Sequence, residues 1–254
     1  MNTLRRFFVS SLITALCLVL IVFMYGNGSS RIYRDGTFTA VSQGDKYGYA
    51  MVTVTLENDK IKNVTIKEFD GFGVEKLYEV YGQFFPALKE AHETLAKRIV
   101  EANSYQVDVF TGATGTSKKV MEAVKFALEK AKLEPSKTKY LDGTFMGVSD
   151  FTARGHAVAW VTIENDKIVK VVLEETTPSV KDGKTVVDAA GRTVWVFKGG
   201  DYPWPEFHAA KEAIAKAVIE KQTHQVDVYT GATSSSNKFI QAVQRALEWA
   251  KARQ

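Results

Sequence analysis

Apolar residues along this chain follow one plan, laid down twice. Phe38 to Val41 and Tyr49 to Leu56 alternate or are rich in β-branched residues. Asn58-Asp59 reads as a turn, and Ile61 to Ile66 as a further strand. A helix is predicted from Ala87 to Glu101, with Leu88, Leu95, Ile99 and Val100 on its apolar face. A short strand, Gln106 to Phe110, and a Thr-Gly-Ala-Thr loop lead to a final helix, where Val120, Val124, Ala127, Leu128 and Ala131 fall at helical spacing. Phe239, Val243, Ala246, Leu247 and Ala250 repeat that spacing near the C-terminus. Each unit is thus expected to be α+β, a mainly antiparallel sheet with flanking helices.

The sequence itself confirms the duplication. Asp35-Gly36-Thr37-Phe38 recurs as Asp142-Gly143-Thr144-Phe145, and Glu57-Asn58-Asp59-Lys60-Ile61 as Glu164-Asn165-Asp166-Lys167-Ile168, at one offset. Gln106 to Thr114 recurs as Gln225 to Thr233 at an offset roughly a dozen residues longer. The extra residues belong between Glu174 and Phe207, where glycine and proline concentrate around Trp195, Phe197, Tyr202 and Trp204. Those aromatics are candidates for a lid or a ring platform, though such density more often packs a core. Repeats this long indicate a duplicated domain rather than a solenoid. The polar segment from Lys132 to Lys139, with Pro135, reads as a linker. The domains expected are 31–134 and 139–254.

Residues 1–30 differ in kind. Phe7 to Tyr25 carries no charge and follows Arg5 and Arg6. As a helix it would reach about 28 Å, close to a hydrocarbon core of roughly 30 Å. An uncleaved single-pass anchor is expected, with the N-terminus in the cytoplasm and the two domains on the extracytoplasmic side of the cell membrane.

Composition narrows the chemistry. The 254 residues hold 33 Lys and Arg against 29 Asp and Glu, interspersed, so no basic face for nucleic acid is indicated. The one cysteine, Cys17, excludes an intrachain disulfide, a Cys-ligated iron–sulfur cluster and a C-x-x-C-H haem site. His92, His156, His208 and His224 lack metal-ligand spacing.

The repeated loop is the strongest chemical signal. It precedes a helix N-terminus, where free N–H groups and the helix dipole favour an anion. Gly112 and Gly231 permit a left-handed turn, while Ala113 and Ala232 leave Thr114 and Thr233 uncrowded. Thr116 or Ser117, and Ser235 or Ser236, are candidate helix caps. Lys119 and Lys238 are placed to neutralise a phosphate. One such loop would be read as a capped strand–helix junction; two near-identical copies in drifted surroundings favour a ligand. The pattern does not fit a nucleotide P-loop.

Asp108-Val109-Phe110-Thr111-Gly112-Ala113-Thr114 and Asp227-Val228-Tyr229-Thr230-Gly231-Ala232-Thr233 resemble the Asp-x-x-Ser/Thr-Gly-Ala-Thr signature of the FMN-binding domain family. That family includes flavin subunits of the Rnf complex and of the sodium-pumping NADH:quinone oxidoreductase, and multi-domain extracytoplasmic flavoproteins. The resemblance implies FMN joined through its phosphate to Thr114 and to Thr233 by a flavin transferase that consumes FAD. It further implies that Asp108 and Asp227 serve the transfer step or cap the turn, and that Thr111 and Thr230 belong to the site. A Glu-Thr-Pro-Gly loop that helps hold the ring in relatives is matched only imperfectly, by Glu68 to Gly73 and by Glu174 to Pro178. The function implied is a membrane electron carrier with two covalent FMN groups, exchanging electrons with membrane redox partners, rather than a free-standing enzyme. A flavin-free, membrane-tethered binding or scaffold module is the alternative.

Overall fold

In the first repeat, three antiparallel strands run in chain order: β1 (Gly36–Val41), β2 (Tyr49–Glu57) and β3 (Lys60–Phe69). The computed structural model describes residues 31–253. The β2–β3 turn is Asn58-Asp59 with φ of 50° and 59°, the left-handed pair that matches the twist of a tight hairpin. Along β2, Ala50, Val52, Val54 and Leu56 are buried while Thr53 and Thr55 face outward and pair with Thr39 and Thr37. A short helix α1 (Tyr78–Tyr81) precedes α2 (Ala87–Ala102) and α3 (Thr114–Ala131). Helix α3 packs on β1 and β2, and α2 on β3, so one face of the sheet is covered.

The second repeat copies this plan with β4 (Gly143–Val148), β5 (Ala157–Glu164) and β6 (Lys167–Pro178), then α4 (Pro205–Lys221) and α5 (Thr233–Ala250). The predicted insertion supplies the hairpin of β7 (Val180–Lys181) and β8 (Lys184–Thr185), and β9 (Trp195–Phe197), which pairs with β6. The two hairpins are tied to their helices by the same device. Asn103, at φ 49°, ends α2, and its side chain bonds Ile61 N–H and the Asp59 carbonyl. Gln222, at φ 53°, ends α4 and bonds both backbone groups of Ile168.

The repeats share one core within a compact unit that begins at Tyr33. Phe126 of α3 meets Phe145 of β4 with ring centroids 5.7 Å apart. Gly44 N–H donates to Thr144 O, and Gln43 Oε1 accepts from Thr144 N–H. Trp160 Nε1 donates to Asp45 O.

Two expectations need correction. Gln106 to Phe110 does not form a strand, nor does its counterpart; both run without sheet partners. The final helices begin at Thr114 and Thr233, so Thr116, Ser117, Ser235 and Ser236 lie in the first turn and are not caps. The anchor expected at Phe7 to Tyr25 lies outside the described residues. Among those described, no helix is long and apolar enough to cross a membrane.

Candidate flavin sites

The absence of a strand before each loop is explained by what holds it instead. Ser117 is buried; its hydroxyl accepts from Phe110 N–H at 2.9 Å and donates to Ala113 O at 2.9 Å. Ser236 makes the same two bonds, to Tyr229 N–H at 3.0 Å and Ala232 O at 2.8 Å. A helix serine thus replaces a neighbouring strand as the partner of the approaching chain.

This latch turns the last threonine outward. Thr114 and Thr233 are exposed at the first helical position, and Ala113 and Ala232 are buried beneath them. No side chain caps either helix, which leaves first-turn N–H groups available to an anion. Gly112 and Gly231 have φ of 84° and 88°, so backbone conformation demands glycine there. A Cβ at Gly112 would meet no atom within 4 Å, so lack of room is not the reason.

The remaining sequence candidates divide. Thr111 and Thr230 are exposed beside the turn. Asp108 and Asp227 are exposed too; Lys221 reaches Asp227 at 3.2 Å, and Arg98 holds the Asp108 and Val109 carbonyls. The lysines, equivalent in sequence, have different partners. Lys119 binds Asp45 at 2.7 Å and the Gly48 carbonyl at 2.6 Å, whereas Lys238 binds the buried Glu175 at 2.8 Å. Trp195 packs edge-on against His156, Phe197 on Phe72, and Tyr202 on Phe207, so three of the four clustered aromatics serve packing.

The structure singles out one buried carboxylate in each of the two segments that resemble the ring-holding loop, Glu68 to Gly73 and Glu174 to Pro178. Glu68 and Glu175 occupy equivalent places near the ends of β3 and β6, and only 3% and 2% of each is exposed. Each accepts the backbone N–H of a lysine on its own carbonyl and binds the same lysine's ammonium with its carboxylate. These lysines are Lys76, at 2.9 Å, and Lys198, at 3.0 Å. Burial opposes ionisation of Glu68, yet His92, the Lys76 ammonium and the Thr116 hydroxyl outweigh it and hold its pKa down to about 2. For Glu175, Lys238, Ser235 and Lys198 likewise overcome burial and keep the carboxyl below its usual range. Thr116 and Ser235 lie two residues after the exposed threonines, so each carboxylate is tied to the first turn of its signature helix.

The surroundings of the two carboxylates differ. Glu68 contacts His92 Nε2 at 3.3 Å, and His92 Nδ1 meets the Tyr78 hydroxyl at 2.9 Å. In the second repeat the residue in the place of His92 is Lys211, which binds Glu174 at 2.7 Å. Glu175 Oε2 is buried with no hydrogen-bond partner among the described residues, an acceptor available to a ligand N–H.

Twofold repetition of a sheet, a serine-latched turn and an uncapped helix bearing an outward threonine defines a duplicated module with one exposed hydroxyl at each helix start. The FMN-binding domain matches residues 47–129 and 154–248, and the chain belongs to that family, with two copies of the domain. No curated protein matches the chain. Among solved structures, the CPE2226 protein from Clostridium perfringens is 24% identical over 39% of this chain and 89% of that one, with a TM-score of 0.35. The residues present fit FMN: hydroxyls in solvent, uncapped N–H groups for a phosphate, and at Glu175 an unused acceptor.

Proposed function

We propose that the chain is a membrane-anchored, extracytoplasmic electron-transfer flavoprotein carrying two FMN groups, each ester-linked through its phosphate to Thr114 or Thr233. The observation that carries this reading is the pair of exposed threonines, each the first residue of an uncapped helix and each set by the same serine latch. Attached flavin supplies the electron chemistry, and the protein holds it and tunes it. First-turn N–H groups stabilise the phosphate charge. Ester linkage keeps the cofactor from being lost to the dilute exterior. The FAD-consuming flavin transferase reaches each exposed threonine from solvent, and the exposed Asp108 or Asp227 serves that transfer step. Phe7 to Tyr25 tethers the carrier near membrane partners that donate and accept its electrons.

Intact-mass measurement tests this. Co-expression with a flavin transferase adds two FMN-sized increments, and Thr114→Ala and Thr233→Ala each remove one. Two increments persisting in either variant would refute the assignment. No increment at all would leave the flavin-free binding module as the reading.

A further inference from the structure

Between the repeats lies a cavity of about 460 Å³ that contains no residue of either Thr-Gly-Ala-Thr segment. The first repeat contributes Phe72, Val80, Tyr81 and Phe84 to its wall; the second contributes Val194 and Trp195 from the insertion. It is therefore made by the two segments in which the repeats differ most, and neither repeat builds it alone.

The walls are fixed by contacts behind them. Phe72 packs on Phe197 with centroids 4.7 Å apart, and the Phe72 carbonyl meets His156 Nε2 at 2.6 Å. Trp195 stands edge-on to the same histidine at 5.0 Å. Burial pushes the His156 pKa down to about 4, so the ring beneath both walls is neutral at pH 7.

Charge in the lining is already satisfied. Asp70 accepts the N–H groups of Phe72 and Val74 and the Tyr81 hydroxyl. Asp188 is paired with Arg192 at 2.8 Å, and a second guanidinium nitrogen of Arg192 donates to the Glu75 carbonyl. A charged ligand would thus lose hydration without gaining a free counter-charge. A neutral ring would gain contact with the aromatic and aliphatic lining, and would cover Phe84, which is 81% exposed. A preformed, mainly apolar cleft of this size at a domain junction matches small-molecule sites in general.

We propose that this cleft binds an uncharged, planar compound of two or three fused rings. Two sources share that chemistry: the ring of a flavin attached to this chain, and a diffusible compound of the quinone type. Binding here does not depend on flavin attachment, so the two readings fail separately.

The test uses the full-length chain with Thr114→Ala and Thr233→Ala, which carries no attached flavin. Lumiflavin and menadione are the probes, read by tryptophan fluorescence quenching and by equilibrium dialysis. Saturable binding of at least one is expected. Ala189→Trp, on an exposed position at the cavity wall, should weaken it at least tenfold without disturbing the core. FMN, with its charged phosphate, should bind more weakly than lumiflavin. Repeating the measurement on flavin-loaded single-threonine variants separates the sources. Probe binding lost on loading assigns the cleft to the attached ring, and binding retained assigns it to a diffusible compound. No saturable binding of either probe, or binding indifferent to Ala189→Trp, overturns the proposal.

Discussion

Replacing Glu68 by Gln tests the electrostatic design under the first signature helix. The substitution keeps volume and some hydrogen bonding but leaves Lys76, whose side chain is 17% exposed, without its anion. Its cost can be worked from the carboxyl itself. A pKa lowered from 4.5 to about 2 corresponds, at 1.36 kcal/mol for each unit, to about 3 kcal/mol of folding stability. Truncating one member of a buried ion pair costs about 3–5 kcal/mol in general, which agrees. The sign follows from the depressed pKa. The contribution is complete above the unfolded value near 4.5 and is lost as pH falls through the folded value; about 2 of the 3 kcal/mol should be gone by pH 3. Urea denaturation of wild type and Glu68→Gln at pH 7, 5 and 3 measures the difference directly. A deficit below about 0.5 kcal/mol at pH 7, or one unchanged at pH 3, would refute the reasoning.

Four further outcomes are expected. Ser117→Ala and Ser236→Ala should each cost about 1–3 kcal/mol, because Phe110 N–H or Tyr229 N–H loses its acceptor; hydrogen exchange at those amides should accelerate, and unchanged protection would argue against the latch. Gly147→Ala should cost about 3 kcal/mol in thermal or urea unfolding, since its Cβ would lie 2.0 Å from the Ala242 carbonyl. Gly115→Ala, with nothing within 4 Å of the new methyl, should instead stabilise by about 0.5–1 kcal/mol. His156, neutral through burial, should titrate by NMR near pH 4 rather than 6.5. As its folded pKa is depressed, stability should fall by about 3 kcal/mol as pH drops from 6.5 to 4, and His156→Gln should flatten that slope.

What the sequence disclosed was whatever repetition or periodicity made visible. Alternation along Tyr49 to Leu56 and helical spacing from Val120 to Ala131 report burial directly, and both elements stand where they were expected. Gln106 to Phe110 misled because its valines and phenylalanine fit a strand locally, whereas a strand also needs a neighbouring backbone. Here Ser117 and Arg98 take that role, from a distance no local pattern records. The burial and equivalence of Glu68 and Glu175, inside the two loop-like segments, were hidden differently. A glutamate on an alternating strand reads as solvent-facing, and only the lysine, histidine and hydroxyl brought to it by folding make its burial tolerable. A signal existed: both follow the repeated Lys-Ile hairpin at the same spacing. Lys119 and Lys238, identical by alignment, show the converse limit, since their partners are set by residues outside the repeated motif.

The two repeats dock through α3 of the first, whose Phe126 meets Phe145 of the second and whose Lys130 Nζ donates to the carbonyl of Trp249, the equivalent position in the second repeat. The counterparts of Phe126 and Phe145 are engaged within their own repeats. Arg245 stands where Phe126 stood and is committed to Asp150 and the Val148 carbonyl, while Arg34 lies over Phe38, the counterpart of Phe145, 5.2 Å from its ring centre. Gln43 and Glu122 become Asp150 and Gln241, the same bond with acid and amide exchanged, now turned toward solvent rather than toward a neighbour. Duplication supplied both positions twice, and the Phe126–Phe145 pairing across the repeats is the one that stayed apolar.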